Sequence, residues 1–267
     1  IDISNYAKYE VKGPGAEAWL NALLANRMPT AVGRSCLTPL IGKRGGIAGD
    51  FTVTRLADEE FMVIGSGMAE RFHQRFFKAV PLPAGTTFRS LTEELCGFNV
   101  AGPKSRELLQ RLTNEDLSTE AFPFMRSRRI TVAGVEAVAL RVSFTGDLGW
   151  ELHCRASDQV ELYSALLKAG EEFGAGPVGS RALMSLRVEK GYGSWSREYS
   201  PEYWPQEVHL DRLIKLDKGD FLNREAYLAV ADKPARDEFI MLSVSAKDAD
   251  ATRSEERRVG KECRSRW

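Results

Sequence analysis

The chain has 267 residues, of which 43% are hydrophobic and 28% are charged, and its 37 basic and 37 acidic residues give a formal net charge of zero. This composition is typical of a soluble globular protein with one large or two small hydrophobic cores. A neutral chain has no general electrostatic attraction for nucleic acid or an anionic membrane, and no apolar run approaches the roughly 20 residues that cross a bilayer. We therefore expect neither nucleic acid nor a membrane as a partner.

The two ends of the chain are atypical. It begins at Ile1, without a methionine or a secretory signal, so we expect it to start within a longer reading frame and to function in the cytoplasm or the mitochondrial matrix. Residues 253–267 (RSEERRVGKECRSRW) are polar, have no apolar period and resemble the translation of a sequencing adapter. We interpret them as an artefact and exclude them from the prediction of the fold.

The cysteines and histidines indicate neither a disulfide framework nor a metal site. The cysteines form no CxxC motif, and the histidines are far apart, without HxH or HxxxH spacing. We expect reduced thiols and no bound metal. The residues are Cys36, Cys96, Cys154, Cys263, His73, His153 and His209.

The chain opens with a strand, a tight turn and a helix, and this order occurs twice. Residues 5–12 (NYAKYEVK) predict a strand, Gly13-Pro14 ends it, and the apolar spacing over 19–24 predicts a helix. Residues 98–112 (FNVAGPKSRELLQRL) repeat the pattern. Neither turn has a phosphate-binding glycine motif, so both predict packing of a helix on a sheet.

The stretch between these two patterns is rich in predicted strands. Residues 50–56 and 60–64 alternate apolar and polar side chains, which predicts two strands joined by a turn. A helix follows over 69–80 and ends at Pro81. Together these elements predict a small α+β unit.

The second half mixes strands and helices at irregular spacing. Strands are predicted over 129–132, 135–144 and 149–154, and Ser157 and Ser180 predict the N-terminal caps of two helices. The first helix carries Val160, Tyr163, Leu166 and Leu167, and the second has Leu183, Leu186 and Val188 on one face.

The last predicted elements are a helix over 223–230 and a strand over 238–243. The irregular order of strands and helices along the whole chain favours an α+β fold over a doubly wound α/β sheet.

Three segments, taken together, resemble one family. They are GGIAGDFTVTRL (45–56), VSFTGDLGWELH (142–153) and SLRVEKGYGSWSREYSPEYWPQEVHLDRLIKLDKGDFLNRE (185–225). In order and spacing they resemble the folate-binding domain of the glycine-cleavage T-protein, an aminomethyltransferase. They are more similar still to the C-terminal folate domain of dimethylglycine and sarcosine dehydrogenases, a branch that segments 10–29 and 216–221 also favour.

The resemblance implies an α+β fold, the aminomethyltransferase folate-binding fold, over residues 1–237. Its first subdomain would be discontinuous, with an inserted ferredoxin-like α+β subdomain at about 45–122. The third, C-terminal barrel subdomain would begin over 238–252 and be truncated there.

The resemblance also implies a function. The chain would be the tetrahydrofolate-binding one-carbon-transfer module of a flavoenzyme that oxidises a small N-methyl amine at FAD in an upstream domain of the same polypeptide. Tetrahydrofolate would capture the formaldehyde-equivalent iminium to give 5,10-methylenetetrahydrofolate, and this fragment alone would be inactive. Two alternatives stay open: a free-standing glycine-cleavage aminomethyltransferase, and a catalytically silent scaffold or binding domain that keeps the fold.

Two carboxylates are the main candidate site residues. The chemistry needs a carboxylate that orients the folate nitrogens, stabilises a cation and accepts a proton, and Asp50 matches the family's aspartate in the GGIxxD turn. The family often has a second acid just before it, where this chain has Gly49. Glu189, in LRVEKG, matches a position from which a carboxylate would bind the guanidine-like edge of the pterin with two hydrogen bonds.

The other candidate cofactor-binding residues are a cation and three aromatic residues. Lys218, in LDKGDF, matches a position that can carry a folate-contacting base, and Arg212 is a weaker alternative. Phe144, Trp195 and Tyr199 are predicted to line the folate channel and stack on its rings.

Three positions depart from the family's pattern. Leu37 and Phe144 stand where tyrosines are usual, and His209 stands where a glycine is usual. We therefore expect a divergent member with weaker folate binding. Arg187, two residues before Glu189, is predicted to point elsewhere on its helix and to form a surface ion pair.

Overall fold

The computed structural model describes residues 1–242, and its first part is a five-stranded antiparallel sheet. The strands are β1 (Ala7–Lys12), β2 (Ser35–Ile41), β3 (Ile47–Ala57), β4 (Glu60–Gly65) and β5 (Thr87–Ser90), in the order β2-β3-β4-β1-β5. Helices α1 (Ala16–Leu23) and α2 (Glu70–Phe77) pack on one face. The sheet and its helices span residues 7–90, whereas residues 1–3 pair with residues 97–99, with Asp2 opposite Phe98.

Period-two alternation separates the two faces of this sheet. Odd-numbered residues such as Tyr9, Phe51 and Phe61 are fully buried against the apolar sides of α1 and α2. Even-numbered residues of β4, Met62 and Ile64, pack on the opposite face against a second sheet. The first sheet is therefore covered on both sides.

The second sheet also has only antiparallel neighbours. Its strands are β6 (Leu95–Ala101), β7 (Ser127–Val132), β8 (Val135–Leu140) and β9 (Gly149–Arg155), in the order β6-β9-β8-β7. Helices α3 (Ser105–Gln110) and α4 (Gln159–Gly170) bury apolar side chains with it around the fully buried Trp150.

The rest of the described chain returns to the first sheet. Helix α5 (Ser180–Glu189) is followed by a long segment with short 3-10 turns and then by α6 (Arg224–Ala231). Val208 and Leu210 pack on Ile47 of β3, and Tyr227 and Val230 belong to the cluster that contains Ile41 of β2. This segment therefore closes over the end of the sheet where β3 begins.

The predicted strand–turn–helix patterns are confirmed. Strand β1 precedes α1, and β6 precedes α3. Gly13 has a φ of 123°, and a Cβ there would lie 2.2 Å from the carbonyl oxygen of Gly85, so the turn after β1 requires glycine. No helix within residues 1–242 is long and apolar enough to cross a membrane.

Several predicted boundaries were wrong. Strand β8 ends at Leu140, so Phe144 lies in the connection to β9. Residues 238–242 form no strand, and Ile240 is 55% exposed with no partner strand beside it in the described chain. The rest of the predicted truncated subdomain and the adapter-like tail lie outside the described residues.

The predicted helix starts and faces also need correction. The N-caps are Asp158 and Gly179, not Ser157 and Ser180. In α4 the residues Val160, Tyr163 and Leu167 are exposed while Leu162 and Leu166 are buried. In α5 the buried residues are Leu183 and Arg187, while Val188 is exposed.

The boundary of about 45–122 expected for an inserted subdomain does not follow the sheets. Strands β3 to β5 pair within the first sheet, whereas β6 pairs with β9 in the second. The change of sheet falls between Ser90 and Leu95.

Candidate active site around Asp50

Asp50 lies near the start of β3, just after an irregularity in the pairing with β2. Leu40 pairs with Gly49 and Ile41 pairs with Ile47, so Ala48 is an extra residue in β3. A bulge of this kind redirects the side chains beside it. Asp50 then pairs with Pro39 and points away from the core face that holds Phe51.

Packing against His73 and Phe51 explains why residue 49 is a glycine. A Cβ at residue 49 would lie 2.9 Å from Nε2 of His73 and 2.9 Å from the ring of Phe51. His73 is fully buried on α2, and burial lowers its pKa to about 4, so it is neutral at physiological pH. The imidazole therefore occupies the space that a second acidic side chain at residue 49 would need.

The carboxyl of Asp50 lies in an environment of low polarity. Burial raises its pKa to about 6, an effect that a backbone hydrogen bond partly offsets. Two phenols are near: burial raises the pKa of Tyr6 and of Tyr199, and the negative charge of Asp50 adds to both shifts. The residue as a whole is half-buried.

Tyr199 and Trp195 belong to one loop that follows α5. Trp195 packs on α2, with ring centroids 5.7 Å from Phe72 and 5.2 Å from His73. Tyr199 packs beside Ile47, and its ring covers Gly193, where a Cβ would lie 2.2 Å from it. The loop thus places two of the predicted aromatic residues around the start of β3.

A buried ion pair holds this loop. Nη1 of Arg187 donates to the carbonyl oxygen of Tyr192 at 2.8 Å and to the carboxylate of Glu198 at 2.7 Å. The same carboxylate accepts the backbone N–H of Ser194 at 3.0 Å. Arg187 is 2% exposed, so the predicted surface pair was wrong: the pair is internal and shapes the loop.

Phe144 lies between the second sheet and this loop. Its ring stacks on Tyr192 with centroids 6.2 Å apart and an interplanar angle of 17°. Tyr192 is the residue whose carbonyl Arg187 holds. Phe144 is therefore connected to the Trp195 and Tyr199 loop through one stacked pair.

Glu189 ends α5 and is exposed. Its carboxylate has no hydrogen-bond or ion-pair partner among residues 1–242. It can therefore accept hydrogen bonds from a ligand, and its predicted role in binding the pterin stays a prediction.

Lys218 has a structural role that the sequence does not predict. Its ammonium donates to the carbonyl oxygens of Asn21 and, at 2.6 Å, of Leu24, at the C-terminal end of α1. Burial lowers its pKa to about 8. A cation on these carbonyls stabilises the helix end. The weaker alternative, Arg212, is exposed, and its charge acts on Tyr199.

The three departures from the family's pattern have different structural settings. Leu37 lies on β2 and is 50% exposed. His209 has a φ of 58°, in the left-handed region that favours glycine, which explains why a glycine is usual there. Its Nε2 lies 2.9 Å from the carbonyl oxygen of Phe239.

Sequence reasoning missed a pair of buried polar residues on β9. Glu151 and His153 alternate along β9 onto one face, with Nε2 of His153 3.4 Å from the carboxylate of Glu151. Burial raises the pKa of the Tyr6 phenol, and the negative charge of Glu151 raises that pKa further. The period-two spacing in GWELH is the signal that could have identified the pair.

The cysteines are free, and two of them are in contact. Cys96 and Cys154 pair across β6 and β9, with sulfur atoms 3.2 Å apart. Cys36 is partly buried, and Cys263 lies outside the described residues. Residues 1–242 contain no group of three or more histidine, cysteine or acidic side chains that could hold a metal ion.

The fold defines the class of protein. Two antiparallel sheets with this packing superpose on the glycine cleavage system aminomethyltransferase T from Bartonella henselae with a TM-score of 0.77. The match has 22% sequence identity and covers 88% of this chain and 63% of that chain. The chain has the α+β aminomethyltransferase folate-binding fold, as the sequence predicted.

The sequence then gives the family. Residues 1–218 match the family model of the GCVT N-terminal domain, and the chain belongs to this family. It is 32% identical over 253 residues to dimethylglycine dehydrogenase, mitochondrial, of Mus musculus, covering 94% of this chain and 29% of that protein. It is 29% identical to an aminomethyltransferase of Thermoanaerobacter sp., covering 85% of this chain and 62% of that protein. The chain thus spans less than a third of the dehydrogenase relative.

Proposed function

We propose that this chain is the tetrahydrofolate-binding one-carbon-transfer module of a dimethylglycine or sarcosine dehydrogenase-like flavoenzyme. The observation that carries the proposal is Asp50, a half-buried residue whose carboxyl has a raised pKa and whose charge acts on the phenols of Tyr6 and Tyr199. The mitochondrial matrix or bacterial cytoplasm is the compartment we propose, because the relatives are mitochondrial or bacterial.

The residues around Asp50 supply the chemical groups that a folate can bind. A reduced pterin presents an amino group and ring N–H groups, which carboxylates such as Asp50 and Glu189 can accept. Flat rings suit contact with aromatic side chains, and Trp195, Tyr199 and the stacked pair of Phe144 and Tyr192 supply them. The Phe144 ring offers this contact without a hydroxyl, which supports weaker binding.

Tetrahydrofolate, when bound, supplies two nitrogen nucleophiles for a one-carbon unit at the formaldehyde level. The chain's own contribution is at the Asp50 carboxylate. With a pKa of about 6, it is mostly ionised at neutral pH yet is a much stronger base than an exposed aspartate. It can therefore accept a proton from a folate nitrogen, and its negative charge favours a nearby cation.

Ligand binding tests the first half of this proposal. We expect 5-formyltetrahydrofolate to quench the tryptophan fluorescence of this chain, with affinity weakened at least about tenfold by Asp50→Asn and by Glu189→Gln. Asp58→Asn, in the exposed turn after β3, is the matched control and should bind as the wild type does. Equal affinities for all four proteins would overturn the site, and no binding by the wild type would overturn the proposed ligand.

Product formation tests the second half, in the protein that also contains the FAD domain. Asp50→Ala should leave flavin reduction by the N-methyl amine intact and abolish the formation of 5,10-methylenetetrahydrofolate. Unchanged product yield would contradict the role of Asp50. This chain by itself, without the flavin domain, should oxidise no amine.

A free-standing aminomethyltransferase is the second candidate. The match to the Thermoanaerobacter aminomethyltransferase, which covers 62% of that protein, favours it. The coding sequence upstream of Ile1 separates the two candidates: a dinucleotide-binding GxGxxG motif supports the flavoenzyme, and a start codon within a few dozen residues supports the free-standing transferase.

A further inference from the structure

A cavity far from Asp50 is lined by several arginines. It has a volume of about 590 Å³ and lies between the turn before β2, the end of β3 and the segment that leads into β7. Leu56, in its wall, is six residues beyond Asp50 on β3, about 20 Å at 3.3 Å per residue. Its occupant would therefore be independent of the folate proposed above.

Two arginines on the same face of the chain, Arg126 and Arg128, line one side of this cavity. The guanidinium of Arg126 makes no hydrogen bond or ion pair with any residue of the described chain. Arg128 donates to the carbonyl oxygen of Ala121 and lies 5.2 Å from the ring centroid of Phe122. It forms no ion pair within residues 1–242, although hydrogen bonds and, to a smaller extent, its charge lower the pKa of the exposed Asp116. The cavity thus holds cationic donors that the protein does not neutralise by contact.

A further arginine, Arg34, adds to the positive charge near Arg126. Arg34 and Arg126 pair directly across an antiparallel bridge, and Arg34 also has no side-chain partner within residues 1–242. Like charges in directly opposite positions of a sheet are destabilising. An anion that contacts the arginine side of the cavity would remove this repulsion.

The remaining charged groups at the cavity leave an excess of positive charge. Arg129 forms an ion pair with Glu60, whereas Glu120 is exposed at the rim. The apolar walls come from Val32, Leu56, Ala121 and Pro123. We propose that this cavity binds a small molecule through an anionic oxyacid group, a phosphate or a carboxylate, held by Arg126 and Arg128.

Titrations with inorganic phosphate and with acetate, at constant ionic strength, test this site. We expect at least one of the two anions to bind and to raise the thermal unfolding midpoint of the wild-type chain. The anion that binds more tightly shows whether the site prefers a phosphate or a carboxylate group. Arg126→Gln should weaken that binding about tenfold, and Arg128→Gln should weaken it as well. Arg75→Gln, which removes an exposed arginine on α2, is the matched control and should bind as the wild type does.

Stability without anion separates a binding role from a structural one. Because Arg126 faces Arg34, Arg126→Gln should leave the midpoint unchanged or raise it when no anion is present, while abolishing the rise caused by the anion. Failure of both anions to bind the wild type, or an Arg126→Gln affinity equal to that of Arg75→Gln, would overturn the proposal. Folate binding should be unchanged in Arg126→Gln, so failure here is distinct from failure of the folate site.

Discussion

The two parts of the chain that meet at Asp50 are stabilised in different ways. The β3 part is a regular sheet over an apolar core, and every residue with positive φ from 1 to 124 is a glycine. The segment after α5 has no sheet, is held by the Arg187–Glu198 pair, and places Ser196, His209 and Asn223 at positive φ. The comparison teaches that the carboxylate is fixed by the fold, whereas the aromatic residues beside it depend on a few polar contacts.

The largest effect is expected in the sheet part. Phe51→Ala removes a fully buried ring that contacts His73 and Phe77, and we expect a loss of about 3–5 kcal/mol in the free energy of unfolding. Urea unfolding measures it. Phe124→Ala, at a ring that is 66% exposed, is the matched control and should change stability by less than about 1 kcal/mol. Similar losses for both would show that the sheet is not the stable part.

The next effect is expected in the loop part, where both stability and ligand binding should suffer. Arg187→Met removes the donor to Tyr192 and Glu198, and we expect it to cost about 1–3 kcal/mol of stability and to weaken 5-formyltetrahydrofolate binding about tenfold. The exposed Arg197→Met, in the same loop, is the control.

Two outcomes would count against this assignment. If Arg187→Met lowers stability but binds the ligand normally, the loop does not form the site. If Glu198→Gln, which keeps the shape of the side chain, has a larger effect than Arg187→Met, the carboxylate acts on the ligand and not on the loop.

A smaller effect follows from the pKa of Asp50. Because the folded-state pKa is raised from 3.8 to about 6, the folded protein binds this proton more tightly than the unfolded chain does. Ionisation of Asp50 therefore lowers stability as the pH rises from about 4 to about 6, and the cost is complete above that range. Allowing for partial solvent access, we expect Asp50→Asn to raise stability by about 1–2 kcal/mol at pH 8 and to change it little at pH 4.

Urea unfolding at the two pH values measures this difference, with Asp58→Asn as the control. A stabilisation by Asp50→Asn of the same size at pH 4 would contradict the raised pKa. A gain in stability together with lost folate binding would identify Asp50 as a residue kept for function at the expense of stability.

The sheet part was also the easier part to predict from the sequence. Alternation over 50–56 and 60–64 predicted β3 and β4, and the Gly13-Pro14 turn predicted the step into α1. These signals are local, because each residue's face follows from its place in the strand.

The loop part could not be predicted in the same way. Arg187 carries its charge into the interior, a position usually taken by apolar residues, and only the distant Glu198 and the carbonyl of Tyr192 make that burial favourable. His73, which fills the space beside Gly49, comes from α2, and no spacing along the chain indicates that contact. The resemblance to a family identified Asp50, but the residues that set its surroundings depend on tertiary contacts.

The smallest effect tests the strain in the loop part directly. At His209, with a φ of 58°, glycine should relieve the backbone cost, and we expect His209→Gly to raise stability by about 0.5–1 kcal/mol despite the loss of the contact with Phe239. His209→Ala is the control, because it loses the same contact and keeps the strain, so it should be less stable than both. Urea unfolding of the three proteins separates the two contributions. A glycine variant no more stable than the alanine variant would show that residue 209 is not strained, and that this part of the chain is as well matched to its backbone as the sheet is.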